Sequence, residues 1–174
     1  MLASLPDLGG VAAESSDHTR FMALYGHLFE HSPWVIERTW AERPFADAEA
    51  LHAAMMRTLA DASLDERLAL LRAHPELADK VAIAEGLTES SQHEQASAGL
   101  DRLSEAEYAT FHALNTAYRA RFGFPFIICV KLHDKAGILR AMRERLEGEP
   151  DVELDEALRQ VGLIGRVRLA ETRA

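Results

Sequence analysis

Arg121-Phe122-Gly123-Phe124-Pro125-Phe126-Ile127-Ile128-Cys129-Val130-Lys131 is the apolar run in this chain that does not follow the spacing of a helix face. Its Ile, Val and Phe residues favour a pleated, buried surface, and Gly123 and Pro125 punctuate its entry so that Phe124 is pushed towards an extended backbone. The run reads as a strand, yet no other stretch offers a convincing ladder partner. Its N–H and C=O groups must then pair with side chains, water or a ligand. A binding site is therefore sought here first.

The flanks on both sides are helical. Upstream, Ser104-Glu105-Ala106-Glu107 opens a capped helix with Phe111, Leu114 and Tyr118 on one face, running into Phe122-Gly123. Downstream, Asp134 caps a helix through Ile138, Met142 and Leu146 to Gly148, and Asp151 caps one through Leu154, Leu158, Val161 and Ile164. Nearer the N-terminus, Asp17 caps a helix bearing Phe21, Leu24 and Leu28 that stops near Ser32-Pro33. Trp34 to Ala41 forms a second, with Ile36 and Trp40 inward, and Asp47 caps a third with Leu51, Met55 and Leu59. Ser63-Leu64-Asp65-Glu66 is a capping box for a helix carrying Leu64, Leu68 and Leu71, ended by His74-Pro75. After a loop containing Gly86, Ser91 with Glu94 three residues on fits another box, for a short helix ending near Gly99. Residues 1–17 are a weakly patterned extension. The expectation is a single all-α domain over 1–174, an irregular bundle of roughly eight helices with one extended apolar segment at 122–131.

The bulk composition narrows the function classes. The chain has 174 residues, 48% apolar and 27% charged, which fits one soluble domain with a real core. Its formal net charge of −9, from 19 basic and 28 acidic residues, disfavours nucleic-acid backbones and anionic membranes as partners. An anionic small molecule stays possible where cationic groups converge. No run is long enough to cross a bilayer and the N-terminus lacks an export pattern, so a cytoplasmic location is expected. Cys129 is the only cysteine. It excludes an intramolecular disulfide and reads as a small buried hydrophobe rather than a catalytic thiol.

Four groups of residues carry possible chemistry. His27-Leu28-Phe29-Glu30-His31 matches H-x-x-E-H, in which two histidines one helical turn apart hold zinc and the glutamate is a general base. The competing reading has these residues bordering the apolar face and bonding locally. His74 lies where a helix breaks at proline, with a charge change near neutral pH, and is either a proton donor or part of a helix stop. Ser91 and Glu94 are explained by capping or by a ligand, whereas capping does not account for Gln95. Arg168, four residues after Ile164, puts a permanent charge beside the apolar face of the last helix, as a structural ion pair or an anion site.

Taken in order, Phe29-Glu30-His31-Ser32-Pro33-Trp34, His74-Pro75-Glu76-Leu77, Ser91 through Glu94-Gln95 to Ala98-Gly99-Leu100, and Phe122-Gly123-Phe124-Pro125-Phe126-Ile127-Ile128-Cys129 closely resemble the OHCU decarboxylase family over roughly residues 20–169. The family pattern does not require the residue matching His27, which weakens the zinc reading. The resemblance implies a cofactor-free, all-helical enzyme, usually a homodimer. Such enzymes convert 2-oxo-4-hydroxy-4-carboxy-5-ureidoimidazoline (OHCU) to (S)-allantoin and carbon dioxide in urate breakdown. His74 matches the family's catalytic histidine, with Glu94 beside it in the chemistry. Pro75, Ser91, Gln92, His93, Glu94, Gln95 and the backbone of Phe126, Ile127, Ile128, Cys129 and Val130 match the substrate pocket, and Arg168 matches an arginine near the C-terminus. The partners implied are an anionic ureidoimidazoline and, as a pathway neighbour, the hydrolase that supplies it. Two other classes stand against this one: a zinc hydrolase built on His27, Glu30 and His31, and a non-catalytic helical domain that docks a partner through the Phe-rich run.

Overall fold

The computed structural model describes residues 17–79 and 87–173. Among them are eight α-helices: α1 (His18–Tyr25), α2 (Trp34–Thr39), α3 (Ala48–Asp61), α4 (Leu64–Arg72), α5 (Glu89–Ser97), α6 (Glu105–Phe122), α7 (Lys135–Leu146) and α8 (Pro150–Arg173). Single 3-10 turns occupy Trp40–Glu42 and Val130–Leu132, and no strand occurs among the described residues. The protein is all-α, as its sequence predicts. No described helix is long and apolar enough to cross a membrane. The extension before Asp17 and the loop around Gly86 lie outside the described residues. Those described fall into two compact units, residues 17–73 with 161–173, and residues 74–160.

The first unit is built on α1 to α4 and the second half of α8. Asp17 caps α1 by accepting from the Arg20 N–H at 3.0 Å, and Asp47 caps α3 through Ala50 at 2.8 Å. Ser63 and Glu66 form the reciprocal box at the start of α4. Phe21, Tyr25, Val35, Ile36, Leu51, Met55, Leu70 and Leu71 are its core. Two glycines of α8 allow close packing: a Cβ on Gly162 would stand 2.6 Å from the Met56 sulfur, and one on Gly165 3.2 Å from the Phe29 ring. Several sequence expectations shift here. Helix α1 ends at Tyr25, so Leu28 is buried in a turn rather than on a helix face. The second helix tightens into the 3-10 turn after Thr39. Leu64 is exposed, and Leu70 joins Leu71 in the core instead.

The second unit contains α5, α6, α7 and the first half of α8. Ser104 and Glu107 complete the box that opens α6, and Asp134 caps α7 through Gly137 at 2.7 Å. Helix α6 packs on α7. It ends at Gly123, whose φ of 78° is the left-handed conformation that glycine adopts without a side-chain clash. Beyond it, 124–129 is buried and belongs to no helix or strand, shorter at both ends than the extended segment predicted because Phe122 is helical and Val130 begins a turn. Two caps are corrected. Thr88, not Ser91, caps α5, accepting from the Ser91 N–H at 3.3 Å. Helix α8 begins at Pro150, one residue before Asp151, because proline is favoured in the first turn, where its missing N–H costs nothing.

Candidate active site

The second unit, residues 74–160, holds every residue matched to the substrate pocket except Arg168. His74 follows the end of α4 at Arg72 by two residues and is 8% exposed, and Pro75 after it is half-buried. Because α5 starts at Glu89, Ser91, Glu94 and Gln95 lie within the helix at positions that share one face. Ser91 and Gln95 are buried and Glu94 half-buried, whereas Gln92 and His93 are on the exposed side. Capping therefore accounts for neither Ser91 nor Glu94.

Gln95 ties α5 to the loop that follows His74. Its Oε1 accepts from the Ala78 N–H at 2.9 Å, and its Nε2 donates to the Glu76 carbonyl at 3.5 Å. An amide has two donors and two acceptor positions, so each end retains capacity for a further bond. Helix α5 also packs against the turn Val130–Leu132. The closeness has an electrostatic signature. Burial, and then the charge of Glu94, push the Cys129 thiol up to about 11.

The extended segment is held by side chains rather than by a ladder. Arg145 donates to the Ile127 carbonyl at 2.8 Å, and its guanidinium lies 4.5 Å from the Phe126 ring centroid. Arg145 is itself fixed by Glu153 at 2.9 Å, and Glu153 also accepts from the Tyr118 hydroxyl. Burial, followed by that hydrogen bond, raises the Tyr118 hydroxyl well above its ordinary value. Gln160 accepts from the Cys129 N–H at 2.8 Å while donating to Glu156 at 2.8 Å. The Cys129 and Val130 carbonyls accept from Leu132 and His133. Among the described residues, no hydrogen bond reaches the N–H of Phe126, Ile127 or Ile128, or the C=O of Phe126 or Ile128. Phe126, Ile127 and Ile128 are each 3% exposed or less.

Two sequence readings change with this geometry. His27-Leu28-Phe29-Glu30-His31 is not helical, so its histidines are not one turn apart on a common face. Glu30 is instead buried against Arg168 at 3.1 Å, and His27 is 3.3 Å from the Thr172 hydroxyl. Burial, then the nearby Arg168 charge, lowers the His27 pKa. The zinc-hydrolase alternative loses its structural basis. Arg168 belongs to the first unit, where it also donates to the Leu28 carbonyl at 3.4 Å. Residues that reading the sequence missed are Asn115, Arg145, Glu153 and Gln160. Asn115 and Gln160 had a usable signal, a polar side chain on an otherwise apolar helix face; for Arg145 and Glu153 no such signal exists, since their pairing is fixed by how α7 meets α8.

Comparison with known proteins places the chain. The sequence model of the OHCU decarboxylase family matches residues 14–170. A protein of Halalkalicoccus jeotgali named 2-oxo-4-hydroxy-4-carboxy-5-ureidoimidazoline decarboxylase is 46% identical over 156 residues, 90% of this chain and 86% of that one. The Xenopus laevis protein of the same name is 35% identical over 157 residues, 90% of each. Among solved structures, an (S)-allantoin synthase superposes with a TM-score of 0.69 at 30% identity, over 91% of this chain and 51% of that one, so this chain spans about half of it. An OHCU decarboxylase crystallised in the presence of (S)-allantoin shares the fold, with a TM-score of 0.67 at 24% identity, over 89% and 97% of the two chains. The chain belongs to the OHCU decarboxylase family.

Proposed function

We propose that this protein is a carboxy-lyase that converts OHCU to (S)-allantoin and carbon dioxide in urate degradation, with His74 delivering the proton. The observation that carries the reading is the assembly within one unit of a buried histidine, the inner face of α5 and an extended segment with unpaired backbone groups, in a chain of this family. The family match runs without a break across both units, which supports treating them as one functional domain.

Loss of carbon dioxide from the quaternary ring carbon leaves an electron pair that the adjacent ring carbonyl or imine delocalises. The protein must align the breaking bond with that acceptor system, stabilise the enolate-like oxygen and protonate one face. His74 suits the last task, because an imidazole gives and takes a proton near neutral pH. Glu94 and Gln95 accept from the ureido and ring N–H groups, Gln95 through the second acceptor position of its amide oxygen. The N–H groups of Phe126, Ile127 and Ile128 donate to ring oxygens, and the Phe126 and Ile128 carbonyls accept. Ser91 and Pro75 border the same face. Gln92 and His93, on the exposed side of α5, and Arg168, paired with Glu30, enter this reading on the family resemblance alone. So does the homodimer, whereas the cytoplasmic location rests on the sequence pattern and the link to the hydrolase that supplies OHCU on the instability of OHCU in water.

The test is stereochemical. Freshly generated OHCU decays by itself to racemic allantoin, so optical rotation during turnover distinguishes catalysis from decay. The expected result is an excess of one enantiomer with wild type and none above the spontaneous reaction with His74→Asn. Near-normal turnover by a folded His74→Asn variant refutes the assignment of His74; a racemic product with wild type refutes the activity.

A further inference from the structure

We propose that Asn115 is a positioning residue for His74, acting through a clamp on the loop that His74 begins. The inference rests on the decarboxylase reading of His74.

Residues 76–78 are held from two helices. Gln95 of α5 bonds the Glu76 carbonyl and the Ala78 N–H, and Asn115 of α6 donates from Nδ2 to the Leu77 carbonyl at 2.8 Å. Arg119, one turn beyond Asn115, meets the Glu76 carboxylate at 2.7 Å. The conformation so held is not one the chain adopts readily: Ala78 has a φ of 58°, in the left-handed region where a Cβ is strained. Pro75 fixes its own φ, so clamping 76–78 sets the direction in which the His74 side chain leaves the backbone.

Asn115 is 4% exposed and sits between Phe111 and Tyr118 on the buried face of α6, where an apolar residue packs at no polar cost. Its Oδ1 is buried without a hydrogen bond among the described residues. Burying an unsatisfied oxygen opposes folding, so the amide is explained by what its other end does. That end holds the Leu77 carbonyl.

The experiment measures kcat and KM for OHCU, with the enantiomeric excess of the enzyme-dependent product, for wild type, Asn115→Leu and Asn115→Leu/Ala78→Gly. Misplacing the proton donor lowers kcat by about 10- to 100-fold. KM should stay within about threefold, because the contacts assigned to Glu94, Gln95 and the 126–128 backbone do not pass through Asn115. Glycine at position 78 adopts the left-handed conformation without help, and is expected to restore kcat several-fold and to raise the enantiomeric excess. Wild-type kcat in Asn115→Leu, or a loss that Ala78→Gly leaves unchanged, overturns the proposal. If Asn115→Leu does not fold, Asn115→Ser, too short to reach Leu77, carries the same comparison. Failure of both to fold also overturns it, since Asn115 then serves folding itself. A wild type without turnover defeats the decarboxylase reading, an outcome distinct from any of these.

Discussion

Neutralising Glu30 while leaving Arg168 in place should destabilise the protein severely. The two groups are 3.1 Å apart with side chains 1% and 3% exposed. At that separation and an effective dielectric of about 20, their attraction is about 5 kcal/mol. Opposing it is the removal of both ions from water, a cost of several kcal/mol each, so the pair as a whole contributes little net stability. The asymmetry appears when one partner goes. Glu30→Gln removes the carboxylate that the guanidinium faces in this dry site and leaves the neutral Leu28 carbonyl and the introduced amide beside it, and a loss of about 3–5 kcal/mol is expected. Equilibrium urea unfolding followed by circular dichroism measures it, provided the m-value is unchanged, so that the shift in midpoint reports stability alone. The Glu30→Leu/Arg168→Met double variant should be more stable than Glu30→Gln, since no charge is stranded. A Glu30→Gln variant within about 1 kcal/mol of wild type would refute the reasoning, because an exposed pair behaves in that way. Kinetics of the double variant answer a second question: unchanged KM assigns Arg168 to the fold, and a raised KM shows the substrate contact that the resemblance implies.

Other expected outcomes test the site and its supports. Gln95→Leu strands the buried Ala78 N–H, and should cost about 1–3 kcal/mol for that group, with a smaller loss at the half-buried Glu76 carbonyl and a fall in kcat; unfolding and turnover assays on one preparation check both. Glu94→Gln should lower the thiol pKa of Cys129 from about 11 by removing a negative charge, seen as an earlier rise of thiolate absorbance at 240 nm, while an unmoved titration separates Glu94 from the extended segment. In the capping boxes, the Arg38 hydrogen bond, then Ser63, hold Glu66 at about 2, and the Lys135 hydrogen bond, then Ser104, hold Glu107 at about 2, against an ordinary 4.5. Their folded pKa values are depressed, so this stabilisation is complete above about 4.5 and is lost as pH falls towards about 2. Glu66→Gln/Glu107→Gln should therefore flatten the decline of the urea midpoint over that range, and parallel curves would contradict the assignment.

What the sequence determined by itself was local. The boxes at Ser63 and Ser104, the caps at Asp17, Asp47 and Asp134, and the glycine stop at Gly123 depend on residues within one turn of each other, so their chemistry is legible without a partner. The ordered motifs around His74, Gln95 and the Phe-Gly-Phe-Pro-Phe run were enough to name the family. The H-x-x-E-H alternative fails because it presumes a helix that stops at Tyr25, and the Ser91 box misled because Thr88 caps three residues earlier. Tertiary structure decided the rest. Which partner a buried polar group meets depends on elements far apart in the chain, as Glu30 meets Arg168 and Asn115 meets Leu77. The extended run was legible as a segment that needs partners. Only the packing of α7 and α8 determined that Arg145 and Gln160 take two of its backbone groups, while the N–H groups of Phe126, Ile127 and Ile128 meet no partner among the described residues.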